Sequence, residues 1–197
     1  RGDPVSRATL LATTIQTAIL ISRMLDPRTD RLSRGVYGQR IFAFTDDIDV
    51  TNRLYFSLLD AEGRNDRGQP NLQRHPDGGL ARLRQPMPSR VRELYGQNWT
   101  VPQRLGHPLN DRKRISRTSS QDPGVTAGQD IIVATASLEV GFNDPGVGVM
   151  LQHKAPRDAA TFLQRKGRAG RPRSMRPWTV VVLSDYGRDQ VAYRNYE

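Results

Sequence analysis

Four short apolar runs, each followed by polar residues, constrain the fold of this chain more than any other feature. The runs are RIFAF, DIIVA, GVGVML and WTVVVL, which begin at Arg40, Asp130, Gly146 and Trp178. Runs of this length, rich in Val and Ile, are typical of strands that are buried on both faces. Segments with helical spacing separate them, and this alternation indicates a parallel sheet with helices on both faces. The sequence therefore predicts an α/β fold.

Apolar residues at helical spacing mark segments 5–25, 48–63 and 156–170 as helices of this fold. Arg7 and Arg23 interrupt the first segment, so we expect a helix with one buried side rather than a membrane span. The residues expected on that side are Ala8, Leu11, Ala12, Ile15, Ala18 and Ile19.

Residues 64–121 have a different composition from the rest of the chain. They contain six prolines and many arginines, with no helical or strand period. We interpret this stretch as an irregular Arg/Pro-rich insertion in a domain formed by residues 1–63 and 122–197. A stretch of that length without regular elements is unusual inside a domain and favours a functional role.

The composition favours a polyanionic partner. Thirty Lys and Arg against twenty Asp and Glu give a formal net charge of +10, which attracts phosphate chains such as nucleic acid. The chain has no cysteine, so disulfides, thiolate metal sites and thiol catalysis are excluded. The lack of cysteine fits a reducing compartment, and we expect a cytoplasmic protein with no membrane partner and no metal site of its own.

Polar residues follow the four expected strands, at 45–47, 135–137, 152–154 and 184–185. Because the strands of a parallel sheet all end at one edge, these residues are predicted to lie along that edge. Ligands of open α/β sheets bind there. The sequence therefore places candidate binding residues among them.

The stretch QRKGRAGRP, which begins at Gln164, concentrates four cations and two glycines in nine residues. A helix from Pro156 would place Gln164, Arg168 and Arg171 near its end, on one side. The two glycines remove bulk, so that a phosphate can approach closely. Arginines in this position either neutralise a transferring phosphoryl group or complement the negative end of the helix dipole.

Three stretches in order, FAFTDD, IIVATASLEVGFNDPGV and QRKGRAGRP, resemble motifs IV, V and VI of the second RecA-like domain of superfamily 2 helicases. The resemblance covers residues 40–63 and 130–185, and the motif VI string is its most specific part. It implies a RecA-like parallel sheet flanked by helices.

The resemblance also implies nucleotide-binding roles. Arg168 and Arg171 match the motif VI arginines that reach the γ-phosphate of ATP across an interdomain cleft, and Gln164 matches the first residue of that motif. Gly141 matches the motif V glycine near the nucleotide, and Glu139 resembles the glutamate of branches that read LExG. Burial of the two arginine side chains in ion pairs, away from the carboxyl ends of the strands, would contradict the arginine role.

One residue departs from the motif V pattern. The usual aspartate is replaced by Asn143, with Asp144 following, which leaves the ribose contact open between them. The phosphate loop and the acidic box of such helicases are absent from this chain and belong to a first RecA-like domain. That domain would hold the Mg²⁺ of ATP, so we expect no ATP hydrolysis by this chain alone.

Motif V also implies that Thr135 contacts the nucleic-acid backbone. For Thr45 and Asp46, a phosphate contact and capping of the following helix are equally supported.

Two further groups are candidates for nucleic-acid binding. Arg117, Thr118 and Ser119 suit phosphate contacts without base reading, or form an exposed polar loop. His153 and Lys154, expected at a strand end, either meet the nucleic acid or are a surface pair.

The sequence is therefore interpreted as the C-terminal half of an ATP-dependent helicase or translocase, with DNA the favoured strand and RNA left open. The sequence around the motifs resembles that of large bacterial phage-defence helicases such as the DISARM helicase. This resemblance implies other defence-complex subunits as partners. One alternative is a catalytically idle nucleic-acid clamp, which only Asn143 favours. The sequence does not distinguish a helicase from a translocase that moves on duplex without separating strands.

Overall fold

The computed structural model describes residues 9–25, 35–70, 111–118, 128–135 and 144–195. Within them, the helices are α1 (Leu10–Met24), α2 (Ile48–Ala61), α3 (Ala159–Lys166) and α4 (Arg188–Asn195). The strands are β1 (Arg40–Phe44), β2 (Ile115–Thr118), β3 (Ile131–Ala134), β4 (Val147–His153) and β5 (Trp178–Val182).

The five strands form one sheet in the order β2-β3-β1-β4-β5, and every neighbouring pair is parallel. In the centre, Ile41 of β1 lies beside Ile131 of β3 and Val149 of β4. All strands therefore begin at one edge, here called the amino edge, and end at the other, the carboxyl edge. The predicted parallel α/β sheet is confirmed.

Alternate residues of the strands pack into two apolar layers. On one face, Ile41 and Ala43 of β1 join a cluster with α1 and α2, which contribute Ile19 and Leu54 among others. On the opposite face, Phe42 and Phe44 form a smaller cluster that α3 covers through Phe162. This alternation is what a strand buried on both sides requires.

Helix α1 buries a side that extends further along the helix than expected. Ile15, Ala18 and Ile19 are buried as predicted, whereas Leu11 and Ala12 are half-buried and Ala8 lies outside the described residues. The buried side continues through Ile21, Ser22 and Arg23 to the end of the helix.

Two expectations about the strands are wrong. Residues 115–118, assigned to the insertion, form β2, which pairs in register with β3. The sequence did not indicate this strand because apolar and polar residues alternate only weakly in its four residues, ISRT, which are surrounded by arginines. Strand β5 was expected to be buried, but Trp178 and Thr179 are exposed because β5 lies at the end of the sheet order.

A buried ion pair joins α1, α2 and the entry to β2. The Arg23 guanidinium donates to both carboxylate oxygens of Glu62, at 2.8 and 2.9 Å, and neither side chain is exposed. Arg23 also donates to the Asp111 carbonyl at 3.1 Å, and Glu62 accepts the Lys113 backbone N–H at 2.9 Å. The pair therefore fixes the segment that leads into β2.

Replacing Arg23 by Leu is expected to lower the free energy of unfolding by roughly 3–5 kcal/mol, because it leaves the Glu62 carboxylate buried without its cation. Urea denaturation followed by circular dichroism measures this. Arg67→Leu removes an exposed arginine and is the matched control, with an expected change within about 0.5 kcal/mol. Equal effects of the two substitutions would show that the pair does not stabilise the fold.

Candidate functional site

The segment that follows α3 is held against the amino edge of the sheet. The helix ends at Lys166, and Gly167 caps it by donating to the Leu163 carbonyl at 2.9 Å. Gly170 then adopts a φ of 74°, and its N–H donates to the carbonyl of Val147, the first residue of β4, at 2.9 Å. A Cβ on Gly170 would lie 2.2 Å from Pro177, so only glycine fits this approach.

The two motif VI arginines lie in the turn after α3 rather than on the helix. The expectation that Gln164, Arg168 and Arg171 share a helix side near its end is therefore wrong, because α3 ends at Lys166, before either arginine. Gln164 is exposed on α3. Arg168 is partly exposed and Arg171 is exposed. Both arginines lie near the amino edge, away from the carboxyl ends of the strands, but Arg171 is not buried.

Asp144 lies at the same edge, three residues before β4. Val147 connects Asp144 to the motif VI turn. Its N–H donates to the Asp144 carbonyl, and its carbonyl accepts the Gly170 N–H. The Asp144 carboxylate is buried, forms an ion pair with Arg40 and accepts the Gly146 N–H at 2.8 Å. The other motif V candidates for the nucleotide lie outside the described residues: Glu139, Gly141 and Asn143.

Arg165 also belongs to motif VI, and the sequence did not indicate that its side chain is buried. Its side chain is 1% exposed and donates to Asp46 Oδ1 at 2.6 Å and to Gln152 Oε1 at 2.8 Å. Its guanidinium carbon also lies 5.4 Å from the centre of the Phe44 ring. The signal in the sequence was the spacing of Phe162 and Arg165, three residues apart on the side of α3 that faces the sheet.

The residues after β1 have structural partners at the carboxyl edge. Thr45 is buried, and its hydroxyl contacts the Thr51 hydroxyl and the Asp47 carbonyl. The cap of α2 is Asp47, whose carboxylate accepts the N–H groups of Asp49 and Val50. Capping by Thr45 or by the Asp46 side chain, one of the two predicted roles, is therefore wrong.

The remaining nucleic-acid candidates lie on or directly after β2 and β3, and they differ in burial and in partners. Arg117 lies within β2, donates to Asn52 at 2.6 Å and stacks over the Tyr55 ring. Thr118 is buried at the end of β2, so the exposed polar loop does not include these two residues. Thr135 directly follows β3 and is half-buried. Ser119 lies outside the described residues.

His153 and Lys154, at the end of β4, are not a surface pair. His153 is buried, and its Nδ1 lies 2.8 Å from the Thr14 hydroxyl. Because that hydroxyl already donates to the Leu10 carbonyl at 2.9 Å, the imidazole Nδ1 is the donor. Burial, assisted by the neighbouring Lys154 charge, lowers the pKa of His153 to about 4. The imidazole is therefore neutral near pH 7, whereas Lys154 is exposed.

Neither a metal site nor a membrane span is found among the described residues. No group of three or more His, Cys, Asp or Glu side chains in these parts of the chain could hold a metal ion. Among the same residues, no helix has the length and apolar content needed to cross a membrane.

The parallel five-stranded sheet with helices on both faces is a RecA-like α/β fold. Residues 108–173, about a third of the chain, match the family described as the helicase conserved C-terminal domain. Over these residues the chain is similar to a helicase C-terminal domain, and the resemblance drawn from the motifs is confirmed at this level. The matched range includes β2, α3 and both motif VI arginines.

A comparison with curated proteins found no match. Among solved structures, the chain is similar to the DUF1998 helicase MrfA bound to DNA and AMPPNP, with 14% identity and a TM-score of 0.38. The similarity covers 91% of this chain and 20% of the MrfA chain.

Two arginines of the same motif are expected to affect stability differently. Arg165→Met is expected to lower the free energy of unfolding by roughly 3–5 kcal/mol, because it leaves the Asp46 carboxylate without its buried partner. Arg171→Met removes an exposed side chain and should change it by less than about 0.5 kcal/mol. Chemical denaturation of both variants checks this. A larger effect at Arg171 than at Arg165 would contradict the assignment of Arg165 as the structural arginine.

The His153 environment predicts a loss of stability in acid. The unfolded chain protonates this imidazole below about pH 6.5, whereas the folded protein binds the proton only near pH 4. The free energy of unfolding should therefore fall by about 3 kcal/mol on this account between these pH values. Denaturation of the wild type and of His153→Asn, at pH 7 and pH 4, isolates the contribution. The variant should lose less stability in acid, and parallel losses would contradict the buried neutral imidazole.

Proposed function

We propose that this chain is the C-terminal RecA-like half of an ATP-dependent helicase or translocase. The observation that carries the proposal is the separation of two sets of residues on opposite edges of one sheet. Arg168, Arg171 and Asp144 lie near the amino edge, and the polar strand ends lie at the carboxyl edge. The helicase family match supports a motor function, for which two ligands must bind to one domain.

At the amino edge, Arg168 and Arg171 would approach the phosphates of ATP held mainly by a first RecA-like domain. Guanidinium groups at this position neutralise the charge that develops on a transferring phosphoryl group. The exposure of Arg171 and the fixed turn that carries it suit an approach from one domain to another. The Mg²⁺ that accompanies ATP would be held by the other domain.

Asp144 is the candidate for the ribose contact that lies among the described residues. Gly141, Asn143 and Glu139 remain candidates for contacts with the nucleotide. The Asp144 carboxylate is engaged by Arg40 and by the Gly146 N–H. A ribose hydroxyl would therefore compete with Arg40 for this carboxylate. Gln164, exposed on α3, remains a candidate contact to the nucleotide.

At the carboxyl edge, the nucleic acid would be bound through its backbone, with DNA the proposed strand and phage defence the proposed setting, in the bacterial cytoplasm. The position of Thr135 directly after β3, next to β1 in the sheet, supports a phosphate contact. The net charge of +10 favours association with a polyanion. Binding of this kind depends little on sequence and strongly on salt.

The test is ATP hydrolysis by the protein together with its first RecA-like domain. Arg168→Ala and Arg171→Ala should each lower nucleic-acid-stimulated hydrolysis by about 1,000-fold or more, the range of arginine fingers. Binding of DNA should remain within a few-fold of wild type, because these side chains lie near the other edge. Arg173→Ala removes an exposed arginine from the same segment and should leave hydrolysis unchanged.

The idle clamp is the competing function, and the engagement of Asp144 by Arg40 is the observation that favours it. A clamp predicts no hydrolysis by the wild type and unchanged DNA binding in all three variants. Wild-type hydrolysis that survives Arg168→Ala would instead contradict the arginine role.

A further inference from the structure

A cleft of about 710 Å³ opens at the carboxyl edge between the start of α1, the first turns of α2 and the ends of β4 and β5. Leu10, Leu11 and Val50 contribute apolar lining, and Tyr186 contributes an aromatic ring. This volume is within the range of small-molecule sites in proteins.

The charged residues that line the cleft are both cations. Arg53 comes from α2 and Lys154 from the residue after β4, while no carboxylate is among the nine described lining residues. His153 also lines the cleft, and its lowered pKa leaves it neutral at pH 7. The cleft therefore combines an apolar wall with a positive rim, which is complementary to a base joined to a phosphate.

Lys154 has a conformation that is uncommon for its residue type. Among the described residues, it is the one non-glycine with a positive φ, 67°, and its N–H donates to the Val182 carbonyl at 2.9 Å. A lysine in this region is strained, and strain of this kind occurs where the surrounding structure holds a residue in place. Lys154 is exposed and lines the cleft.

Tyr186 lies on a turn fixed by hydrogen bonds to a buried carboxylate. It is 54% exposed. The turn is held by Asp189, which is 5% exposed and accepts the Ser184 N–H and hydroxyl at 3.0 Å and the Ala155 N–H at 2.9 Å. Because the backbone of this turn is already fixed, only the rotation of the tyrosine side chain is lost when a planar group stacks on the ring.

We propose that this cleft binds one unpaired nucleotide of a single strand, with its base against Tyr186 and a phosphate at Lys154 and Arg53. The inference rests on the proposed function, because it extends the strand from Thr135 and β1 along the carboxyl edge to β4 and β5. Bases inside a duplex are covered on both faces by their neighbours, so only an unpaired nucleotide can present a face to the ring.

The site predicts that base stacking and phosphate binding can be removed separately. Tyr186→Ala should weaken binding of a short fluorescein-labelled oligothymidylate by about 5- to 100-fold, whereas Tyr186→Phe keeps the ring and should bind like wild type. Lys154→Asn removes the charge but tolerates the positive φ, and it should lower the salt slope by about one phosphate contact. Arg67→Asn, the control for net charge, should leave the slope unchanged.

An abasic scan makes the test specific to one base. Replacing each nucleotide of the oligomer in turn by an abasic site should weaken wild-type binding at one position, and the same replacement should have no effect in Tyr186→Ala. Fluorescence anisotropy measures both, with the full-length protein and with circular dichroism as a check of folding. Wild-type affinity in Tyr186→Ala, or equal abasic effects in both proteins, would overturn the cleft assignment.

Three outcomes decide between this inference and the proposed function. Unchanged binding by Tyr186→Ala and Lys154→Asn, with hydrolysis lost in Arg168→Ala, removes the cleft site and leaves the motor. Failure of the wild type to bind any strand removes both. Displacement of a bound fluorescent mononucleotide by thymidine monophosphate, with strand affinity unaffected in Tyr186→Ala, would assign the cleft to a free nucleotide and overturn the strand proposal.

Discussion

The buried guanidinium of Arg165 is the interaction on which the arrangement of both edges depends. Removing a cation from water costs several kcal/mol, and only close partners offset this cost. Asp46 after β1 and Gln152 near the end of β4 supply them, and the Phe44 ring covers the guanidinium. Because the partners come from two neighbouring strands, α3 is fixed to both. The turn that begins at Gly167 therefore has a defined position.

The topology of a parallel sheet explains why one short helix can serve both edges. The chain leaves β4 at the carboxyl edge and must return to the amino edge before β5 begins. Helix α3 makes this return over eight residues, a rise of about 12 Å. Its first turn lies near the residues proposed for nucleic acid, and its end carries the motif VI turn. A displacement of α3 would therefore move the motif VI turn and break the contacts of Arg165 with Asp46 and Gln152.

The sequence was sufficient to predict the central sheet because β1, β3 and β4 are apolar on both faces, and short runs of this kind between helical segments fit central strands best. It did not reveal β2, which is held by long-range contacts: pairing with β3 and the Arg23–Glu62 pair. The motif identified the cations near the end of α3 but did not show which of them is buried and which is exposed. Whether Arg165 or Arg168 is buried depends on where α3 ends and which side meets Phe44, and these are properties of the packing.

The same packing changes what the net charge of +10 implies. Arg23 and Arg165 are themselves buried and paired with the carboxylates of Glu62 and Asp46. Arg64 donates to the carbonyls of Gly68, Arg112 and Lys113. A cation in such a bond cannot release a counterion from a phosphate, so the salt dependence of binding counts the exposed cations that reach the strand. Lys154 is exposed at the carboxyl edge and held there by its backbone. The position of a cation therefore determines binding more than the total charge does.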